Sequence, residues 1–141
     1  MTREIEIHPD VIIGGDRPFV LIAGPCVIEN EDMTLRTAER LRDMANALRV
    51  PLVFKASYDK ANRTSRSSFR GPGFERGLRV LEKVKKEVAV PVLSDIHRFE
   101  EIEGAAAVLD IVQVPAFLCR QTDFVQEAAR RARVLNIKKG Q

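Results

Sequence analysis

The chain has 141 residues, of which 45% are hydrophobic and 30% charged, and its formal net charge is +3. This length suits a single domain, and the composition supplies both a packed core and a polar surface. The small net charge and the 6% aromatic content argue against a duplex-binding face and a single-strand stacking surface, so we expect no nucleic-acid partner.

The N-terminus and the cysteines indicate the cellular setting. The first residues, Met-Thr-Arg-Glu-Ile-Glu-Ile, are polar and acidic, which is not the pattern of a signal peptide. No apolar run approaches the roughly 20 residues needed to span a bilayer. Cys26 and Cys119 show no paired framework, so a reducing compartment is expected. We therefore predict a cytoplasmic protein with no membrane partner.

The first predicted elements are a β-hairpin and a strand. Residues 5–13 alternate apolar and polar side chains around a turn at His8-Pro9-Asp10, and the hairpin would close at Gly14-Gly15. The continuous apolar run Phe19–Ala23 predicts a buried strand. That strand ends in a tight turn that carries a thiol, Gly24-Pro25-Cys26.

Helices and strands then alternate along the rest of the chain. Asn30 is predicted to be an N-cap because Glu31 and Asp32 follow it in the first turn, where the helix dipole favours acids. Apolar residues recur at helical spacing in four segments, and short apolar runs separate these segments. The predicted helices are 30–48, 74–88, 98–107 and one capped by Thr122 or Asp123; the further strands are 50–54, 91–97, 110–114 and 134–137.

The segment Lys55–Gly73 is the most distinctive stretch of the chain. It contains five cations and one acid, together with five Ser or Thr hydroxyls. Lysine supplies a mobile point charge and arginine a planar fork for phosphate oxygens, while hydroxyls and backbone N–H groups supply further donors. The segment is therefore typical of an anion-binding loop. A solvated basic loop or a nucleic-acid patch is the alternative interpretation.

The alternation of strands and helices predicts an α/β fold with a parallel sheet covered by helices. An open doubly wound sheet and a (β/α)8 barrel both have this pattern. We favour the barrel because residues with functional side chains stand at the end of every strand, whereas an open sheet collects them at one switch point. These residues are Cys26, Lys55, Ser57, Asp95, His97, Gln113 and Lys138.

The length of the chain limits how much of a barrel it can form. A TIM barrel needs about 250 residues and eight strands, and this chain supplies about half. We therefore predict one incomplete domain over residues 1–141, with strands one to five and four helices. Residues 1–15 would form a short hairpin cap in front of it. The first and fifth strands would be sheet edges, which favours a fragment over a finished domain.

Five ordered motifs resemble the family of 3-deoxy-D-manno-octulosonate 8-phosphate synthases, also called 2-dehydro-3-deoxyphosphooctonate aldolases. The longest is Lys55-Ala-Ser-Tyr-Asp-Lys-Ala-Asn-Arg-Thr-Ser, followed by Ser68-Phe-Arg-Gly-Pro-Gly. The others, in order, are Ala23-Gly-Pro-Cys-Val-Ile-Glu, Ser94-Asp-Ile-His, Gln113-Val-Pro-Ala-Phe-Leu-Cys-Arg-Gln-Thr-Asp and Asn136-Ile-Lys-Lys-Gly-Gln. The resemblance implies a (β/α)8 barrel and covers its N-terminal half or slightly more.

The resemblance also implies an activity. Enzymes of this family condense phosphoenolpyruvate with arabinose 5-phosphate and water, release phosphate, and form 3-deoxy-D-manno-octulosonate 8-phosphate for bacterial lipopolysaccharide. Both substrates are phosphorylated, which suits the cationic loop. A homo-oligomer, expected to be a tetramer, is implied as well.

Site residues follow from the same resemblance. Phosphoenolpyruvate binding is implied for Lys55, Ser57, Lys60, Gln113 and Lys138. Sugar-phosphate binding is implied for Asn62, Arg63 and Thr64, the last in place of an expected Ser, and for Phe117 and Arg120, which would reach a neighbouring subunit's site. Lys60 and Asp95 are expected to be catalytic, with Asp95 near the reacting carbons.

Position 26 divides this family. Members with Cys depend on a divalent metal, and members with Asn do not. A thiolate suits Fe2+ or Zn2+, and Mn2+ is a further candidate, so Cys26 is predicted to be a metal ligand. The metal would orient water or the aldehyde. The other ligands of the family, a His, a Glu and an Asp, are not expected among these residues, and a structural thiol is the alternative.

Other interpretations stay open. The related heptulosonate phosphate synthases use erythrose 4-phosphate and share the Gly-Pro-Cys turn, but a Lys-Pro-Arg-Thr segment would be expected in place of Lys60-Ala-Asn-Arg63. A truncated half barrel that binds phosphate without catalysis is a second class. His97 either lines the phosphate pocket or is a hydrogen-bonded structural residue.

Overall fold

The computed structural model describes residues 2–140, in which seven β-strands and four α-helices are formed. The strands are β1 (Ile5–His8), β2 (Val11–Ile13), β3 (Leu21–Ala23), β4 (Leu52–Lys55), β5 (Val92–Asp95), β6 (Ile111–Val114) and β7 (Leu135–Ile137). The helices are α1 (Glu31–Leu48), α2 (Phe74–Lys83), α3 (Ile102–Val108) and α4 (Thr122–Arg131). None of these helices is long and apolar enough to cross a membrane.

Strands β3 to β7 form one parallel sheet, in which each strand pairs with the next along the chain. One α-helix lies in each connection, as parallel pairing requires a crossover. The predicted α/β fold with a helix-covered parallel sheet is therefore confirmed. The order of the strands, each paired with its successor along the chain, is that of the first half of a TIM barrel.

The two faces of the sheet have different neighbours because side chains alternate along each strand. The face that carries Phe54, Val92 and Val112 packs against the helices in the larger core. The opposite face carries a smaller apolar layer, which the hairpin covers. This layer consists of Val53, Leu93 and Ile111, together with Ile7 and Val11 of the hairpin.

The N-terminal hairpin is formed as predicted. β1 and β2 pair antiparallel around a turn at Pro9 and Asp10. Ile7 and Val11 are almost fully buried, while the residues next to them face outward, as the alternating sequence pattern predicted. The hairpin thus covers one face of the parallel sheet at the N-terminal half of its strands.

The prediction that Phe19–Ala23 is a buried strand is wrong. The strand begins only at Leu21, and 72% of Phe19 and 43% of Ile22 are exposed. β3 lies at the edge of the sheet that residues 2–140 form, where it pairs with β4 on one side. An apolar run marks a strand that can be buried, but only the number of neighbouring strands decides whether it is.

The start of one helix matches the sequence and the start of another does not. Asn30 caps α1 as predicted, since its side-chain oxygen accepts a hydrogen bond from the Met33 N–H at 2.8 Å. The predicted cap of α4 is wrong. Thr122 is already the first helical residue, and Gln121 before it makes no side-chain capping bond.

Two other helices are shorter than predicted. The segment 74–88 is α-helical only as far as Lys83, and a wider π-helical turn follows over Val84–Val88. The third helix starts at Ile102, after a 3-10 turn at Phe99–Glu101. The π-helical turn keeps Val84 and Val88 in the core, whereas Phe99 in the 3-10 turn is exposed, and a count of helical spacing cannot distinguish either turn from a regular helix.

Helix α1 ends in a strained residue. Arg49 adopts the left-handed conformation at φ 54°, where its N–H bonds back to the last turn of the helix. A residue with a Cβ pays about 1 kcal/mol for this conformation, and glycine does not. Glycine is accordingly the usual residue at this position of a helix end.

We predict that Arg49→Gly raises the free energy of unfolding by about 0.5–1 kcal/mol, because it removes the left-handed penalty at an exposed position. Urea denaturation of the chain measures this change. Arg40→Gly is the matched control on an exposed, regular part of α1, and it should lower the free energy by about 1 kcal/mol. If both variants lowered the free energy of unfolding by the same amount, the assignment of strain to Arg49 would be contradicted.

Candidate active site

Polar side chains meet where the parallel strands end. Lys55, Asp95 and Gln113 each follow a residue of the hairpin-covered apolar layer by two positions, so they lie on the same face of the sheet. Because the carboxyl ends of parallel strands share one edge, these three side chains are carried to one place. The candidate site is therefore a polar layer directly above an apolar one.

A close backbone contact joins the first strand to this edge. A Cβ on Gly24 would lie 1.9 Å from the Lys55 carbonyl oxygen, so only glycine lets the turn after β3 pass over β4. Val27 then bridges to Ser57, and the Ile28 N–H donates to the Ser57 carbonyl at 2.9 Å. The glycine of the predicted turn thus fixes where Cys26 leaves the sheet.

The Ser57 hydroxyl connects the cations to the acid. It donates to Asp95 Oδ1 at 2.5 Å and accepts from Lys55 Nζ at 3.0 Å and Lys60 Nζ at 2.9 Å. A hydroxyl has one donor and two acceptor positions, so all of its capacity is used. Ser57 is also fully buried. It holds the two amines and the carboxylate, and its predicted contact with phosphoenolpyruvate stays a prediction.

Asp95 is a buried carboxylate that is strongly hydrogen-bonded. Burial would raise its pKa, but the hydrogen bonds from His97 and Ser57 outweigh burial and lower the pKa to about 2. The His97 Nε2 lies 3.0 Å from Asp95 Oδ2. Asp95 therefore stays ionised at neutral pH and offers only acceptor oxygens.

Lys55 is half-buried, and its surroundings have opposing effects on the pKa of its ammonium group. Burial lowers the pKa of its ammonium, while the Asp95 carboxylate opposes that shift and the Lys60 and Lys138 charges add to it. Cys26 opposes the lowering as well. A site that brings several ammonium groups together favours a multiply charged anion.

A cavity of ≈ 110 Å3 lies at this edge. It brings together seven of the predicted site residues, and His97 joins them. The lining includes Lys55, Lys60, Asn62, Asp95, Gln113, Phe117 and Lys138. The structure thus unites residues from four strand ends and from the loop after β4 around one small, cation-rich space.

The rest of the predicted sugar-phosphate residues lie outside this cavity. Arg63 and Thr64 are exposed on the loop after β4. Arg120 lines a larger neighbouring hollow of ≈ 590 Å3, together with Phe117, Lys138 and Lys139. Phe117 and Lys138 belong to both spaces, so the two hollows adjoin. The predicted reach of Phe117 and Arg120 to another subunit stays a prediction.

The loop after β4 is closed at its base. The Arg70 guanidinium binds both Asp59 carboxylate oxygens, at 2.9 and 2.6 Å, and the Lys60 N–H donates to the Arg70 carbonyl at 2.8 Å. One of the five cations of the predicted anion loop is therefore paired with the loop's only acid. Residues 61–67 between these contacts are exposed.

The predicted metal ligand has no partner ligands nearby. Cys26 is an exposed, free thiol at the end of the turn after β3. Within residues 2–140 no group of three His, Cys, Asp or Glu side chains could hold a metal ion. One soft donor does not make a metal site, so the described residues do not fit a bound metal by themselves, and the ligand role of Cys26 stays a prediction.

Three residues at the site were missed or left open from the sequence. His97 was open, and the structure gives it both the Asp95 bond and a place in the cavity lining. The Asn136 amide donates to Gln113 Oε1 at 2.9 Å, which alternation along β7 could have predicted. Glu101 is buried against Tyr58 and His97, and nothing in the sequence distinguishes it from exposed Glu100.

Comparisons with known proteins agree with the predicted family. The family model described as DAHP synthetase I family matches residues 3–141. The chain is 67% identical over 141 residues to 2-dehydro-3-deoxyphosphooctonate aldolase of Geobacter sulfurreducens. It is 65% and 64% identical to the proteins of the same name in Geotalea uraniireducens and Geotalea daltonii. Each match covers all of this chain and 52% of the relative, so the chain spans about half the length of these curated relatives.

The lowered pKa of Asp95 predicts a specific dependence of stability on pH. Because the pKa falls from 3.8 to about 2 on folding, the ionised group stabilises the fold by about 2 kcal/mol above pH 4. That contribution is lost as the pH falls from 4 towards 2.

We therefore expect Asp95→Asn to lower the free energy of unfolding by about 2 kcal/mol at pH 7 and to make the difference from the unsubstituted chain shrink between pH 4 and pH 2. Urea denaturation across that range measures both effects. Asp16→Asn, at an exposed position, is the control and should change little. A difference that does not depend on pH would rule out the linkage.

Proposed function

The chain belongs to the DAHP synthetase I family, and on that basis we propose that it carries part of the active site of a carbon–carbon bond-forming synthase. The proposed reaction joins phosphoenolpyruvate, arabinose 5-phosphate and water to give 3-deoxy-D-manno-octulosonate 8-phosphate and phosphate. The name shared by the relatives at 60–67% identity supports this choice. The product would serve lipopolysaccharide synthesis in the cytoplasm.

One observation carries the proposal. Lys55, Lys60 and Lys138 line a single cavity together with the amide of Gln113 and the carboxylate of Asp95. Three ammonium groups and a neutral donor suit a small ligand that bears both a phosphate and a carboxylate, as phosphoenolpyruvate does. The Asp95 carboxylate would repel such an anion. In this proposal it therefore faces the reacting carbons and not the charged groups of the ligand.

The proposed role of each cation follows from how it is held. Ser57 aligns Lys55 and Lys60 from behind, so their charges are in place before a ligand arrives. Lys138 is exposed and approaches from the neighbouring strand end. Preorganised charges of this kind stabilise charge that develops during a reaction, because they need no reorganisation when it happens.

The sugar phosphate is proposed to bind on the loop side. Asn62 lines the same cavity as the lysines, and Arg63 and Thr64 follow it on the exposed loop. Holding two mutually repelling anions in contact is a large part of catalysis for such a pair. Phe117 and Arg120, which line the adjoining hollow, would complete the sugar site of a neighbouring copy in a homotetramer.

The proposed chemistry forms a carbon–carbon bond and a carbon–oxygen bond to water, and breaks the carbon–oxygen bond to phosphate. C3 of phosphoenolpyruvate attacks the aldehyde carbon of the sugar, the aldehyde oxygen takes up a proton, and positive charge develops at C2. Water adds at C2 and loses a proton, and the resulting tetrahedral intermediate collapses to the ketone as the C2–O bond to phosphate breaks and the C2 hydroxyl gives up its proton to the departing phosphate. In this proposal Lys60 balances charge on the phosphate, and Asp95 orients a hydroxyl near the reacting carbons.

We also propose that the whole enzyme binds a divalent metal, Fe2+, Zn2+ or Mn2+, to which this chain would contribute the ligand Cys26. When bound, such a metal would act as a Lewis acid on water or on the aldehyde. Cys26 is a single candidate ligand, and the described residues offer no group of three side chains that could hold the ion with it, so the proposed steps do not involve the metal.

A chimera tests the proposed function. Residues 1–141 replace the matching segment of the Geobacter sulfurreducens relative, and phosphate release is followed with phosphoenolpyruvate, arabinose 5-phosphate and Mn2+. We expect release that depends on the sugar. The 141-residue chain is assayed in parallel, with and without a chelator, to find whether it acts by itself.

The lysine contribution is tested in the same chimera. Lys60→Gln should lower kcat/KM about 100-fold because it removes a preorganised charge. Lys86→Gln, on the exposed far side of the fold, should leave kcat/KM unchanged. Release with erythrose 4-phosphate in place of arabinose 5-phosphate would favour the heptulosonate alternative. Phosphate binding without phosphate release in the presence of either sugar would favour the non-catalytic alternative.

A further inference from the structure

A chain of hydrogen-bonded side chains leads from Asp95 in the cavity towards the helix layer, and three of its members, Tyr58, Glu101 and His97, have no role in the reaction proposed above. The Tyr58 hydroxyl donates to Glu101 Oε2 at 2.8 Å, and the His97 backbone N–H donates to the same oxygen at 2.8 Å. The His97 ring then reaches Asp95 through Nε2 at 3.0 Å. Tyr58 is fully buried, and Glu101 is 7% exposed.

The direction of each hydrogen bond is fixed by what each group can offer. Burial raises the pKa of Tyr58, and the Glu101 carboxylate raises it further, so the phenol keeps its proton and donates. Asp95 is ionised and can only accept, which means that His97 Nε2 carries the proton between them. The phenol therefore donates its hydrogen bond to Glu101, and the imidazole donates its hydrogen bond to Asp95.

The His97 ring is covered on most sides, although it also lines the cavity. Its side chain is 4% exposed and stacks on Phe117 at 6.2 Å with 13° between the planes, while Tyr58 meets it edge-on at 5.8 Å. The second ring nitrogen, Nδ1, has no hydrogen-bond partner among the described residues and lies 3.9 Å from Glu101 Oε2. The ring is thus positioned by packing and by Asp95 and Glu101 on either side.

Tyr58 itself is fixed from a helix. A Cβ on Gly77 would lie 2.2 Å from the Tyr58 Cβ, so α2 touches the tyrosine directly. Phe74 also packs against the tyrosine ring at 5.4 Å in a T-shaped arrangement. The brace Tyr58–Glu101 therefore ties the helix layer to the strand ends.

We propose that Tyr58 and Glu101 are positioning residues that hold His97, and through it Asp95, in the orientation that the site requires. The geometry supports this because Asp95 has two oxygens with separate tasks: Oδ1 receives the Ser57 hydroxyl and Oδ2 receives His97. If His97 turned, Asp95 could rotate, and the hydroxyl that aligns Lys55 and Lys60 would lose its acceptor. The consequence for catalysis rests on the proposed function, whereas the consequence for His97 does not.

The first test uses the 141-residue chain and does not depend on activity. The His97 Nε2–H proton is observed by 15N-resolved proton NMR, and its loss in His97→Asn assigns it; His8 is the only other histidine. We expect Glu101→Gln and Tyr58→Phe each to speed exchange of this proton with water about tenfold, as loss of one supporting hydrogen bond implies. Tyr58→Phe keeps the ring and its packing.

Glu100→Gln is the matched control, because it makes the same chemical change at the exposed neighbour. Exchange in this variant should equal that of the unsubstituted chain. If Glu101→Gln and Tyr58→Phe exchange no faster than Glu100→Gln, the positioning role is overturned. Far-ultraviolet circular dichroism identifies a variant that fails to fold, and the other variant then decides.

The second test measures kinetics in the chimera described above. Positioning predicts that Glu101→Gln and Tyr58→Phe lower kcat about tenfold while the KM for phosphoenolpyruvate changes less, since Lys55 and Lys60 keep their charges at the cavity and lose only part of their alignment. An active chimera whose kcat is unaffected by both variants would contradict the catalytic consequence. An inactive unsubstituted chimera would contradict the proposed function instead, and proton exchange would then decide the positioning role alone.

Discussion

Parallel pairing in register is the constraint on which the rest of this structure depends. Leu93 pairs with Ile111 and Asp95 with Gln113, so each step along one strand is matched by a step along the next. Between β5 and β6 the polar pair therefore lies directly above the apolar pair, whereas β4 is staggered so that Lys55 stands level with Leu93. A slip of one residue in any strand would exchange its inner and outer faces and would remove one functional side chain from the cavity.

Charge balance explains why the polar layer needs a buried acid. At an effective dielectric of 20, two like charges 4 Å apart repel by about 4 kcal/mol, so neighbouring ammonium groups destabilise one another. Asp95 offsets part of this repulsion through the Ser57 hydroxyl. One carboxylate against three lysines still leaves a positive excess in the cavity, which a bound anion would neutralise.

How far the sequence could predict the molecule depended on the range of the interactions involved. Asn30 and the hairpin were predictable because their causes lie within a few residues. The strand-end residues were predictable because parallel strands share an edge. The exposure of Phe19 and the burial of Glu101 were not, since both depend on which elements pack beside them in space. The sequence indicated Ser57 as a site residue, but its three simultaneous hydrogen bonds, to Lys55, Lys60 and Asp95, could be seen only in the three-dimensional structure.

The closed base of the loop after β4 has an evolutionary consequence. Asp59, Lys60 and Arg70 close the base of the loop through the Asp59–Arg70 ion pair and the backbone bond between Lys60 and Arg70, so the exposed residues 61–67 are not needed for this closure. Insertions or exchanges in 61–69 would leave the barrel scaffold and its lysines intact. On the proposed function, natural variation confined to this short segment would change which sugar aldehyde is accepted, while the lysines proposed to receive phosphoenolpyruvate stay unchanged.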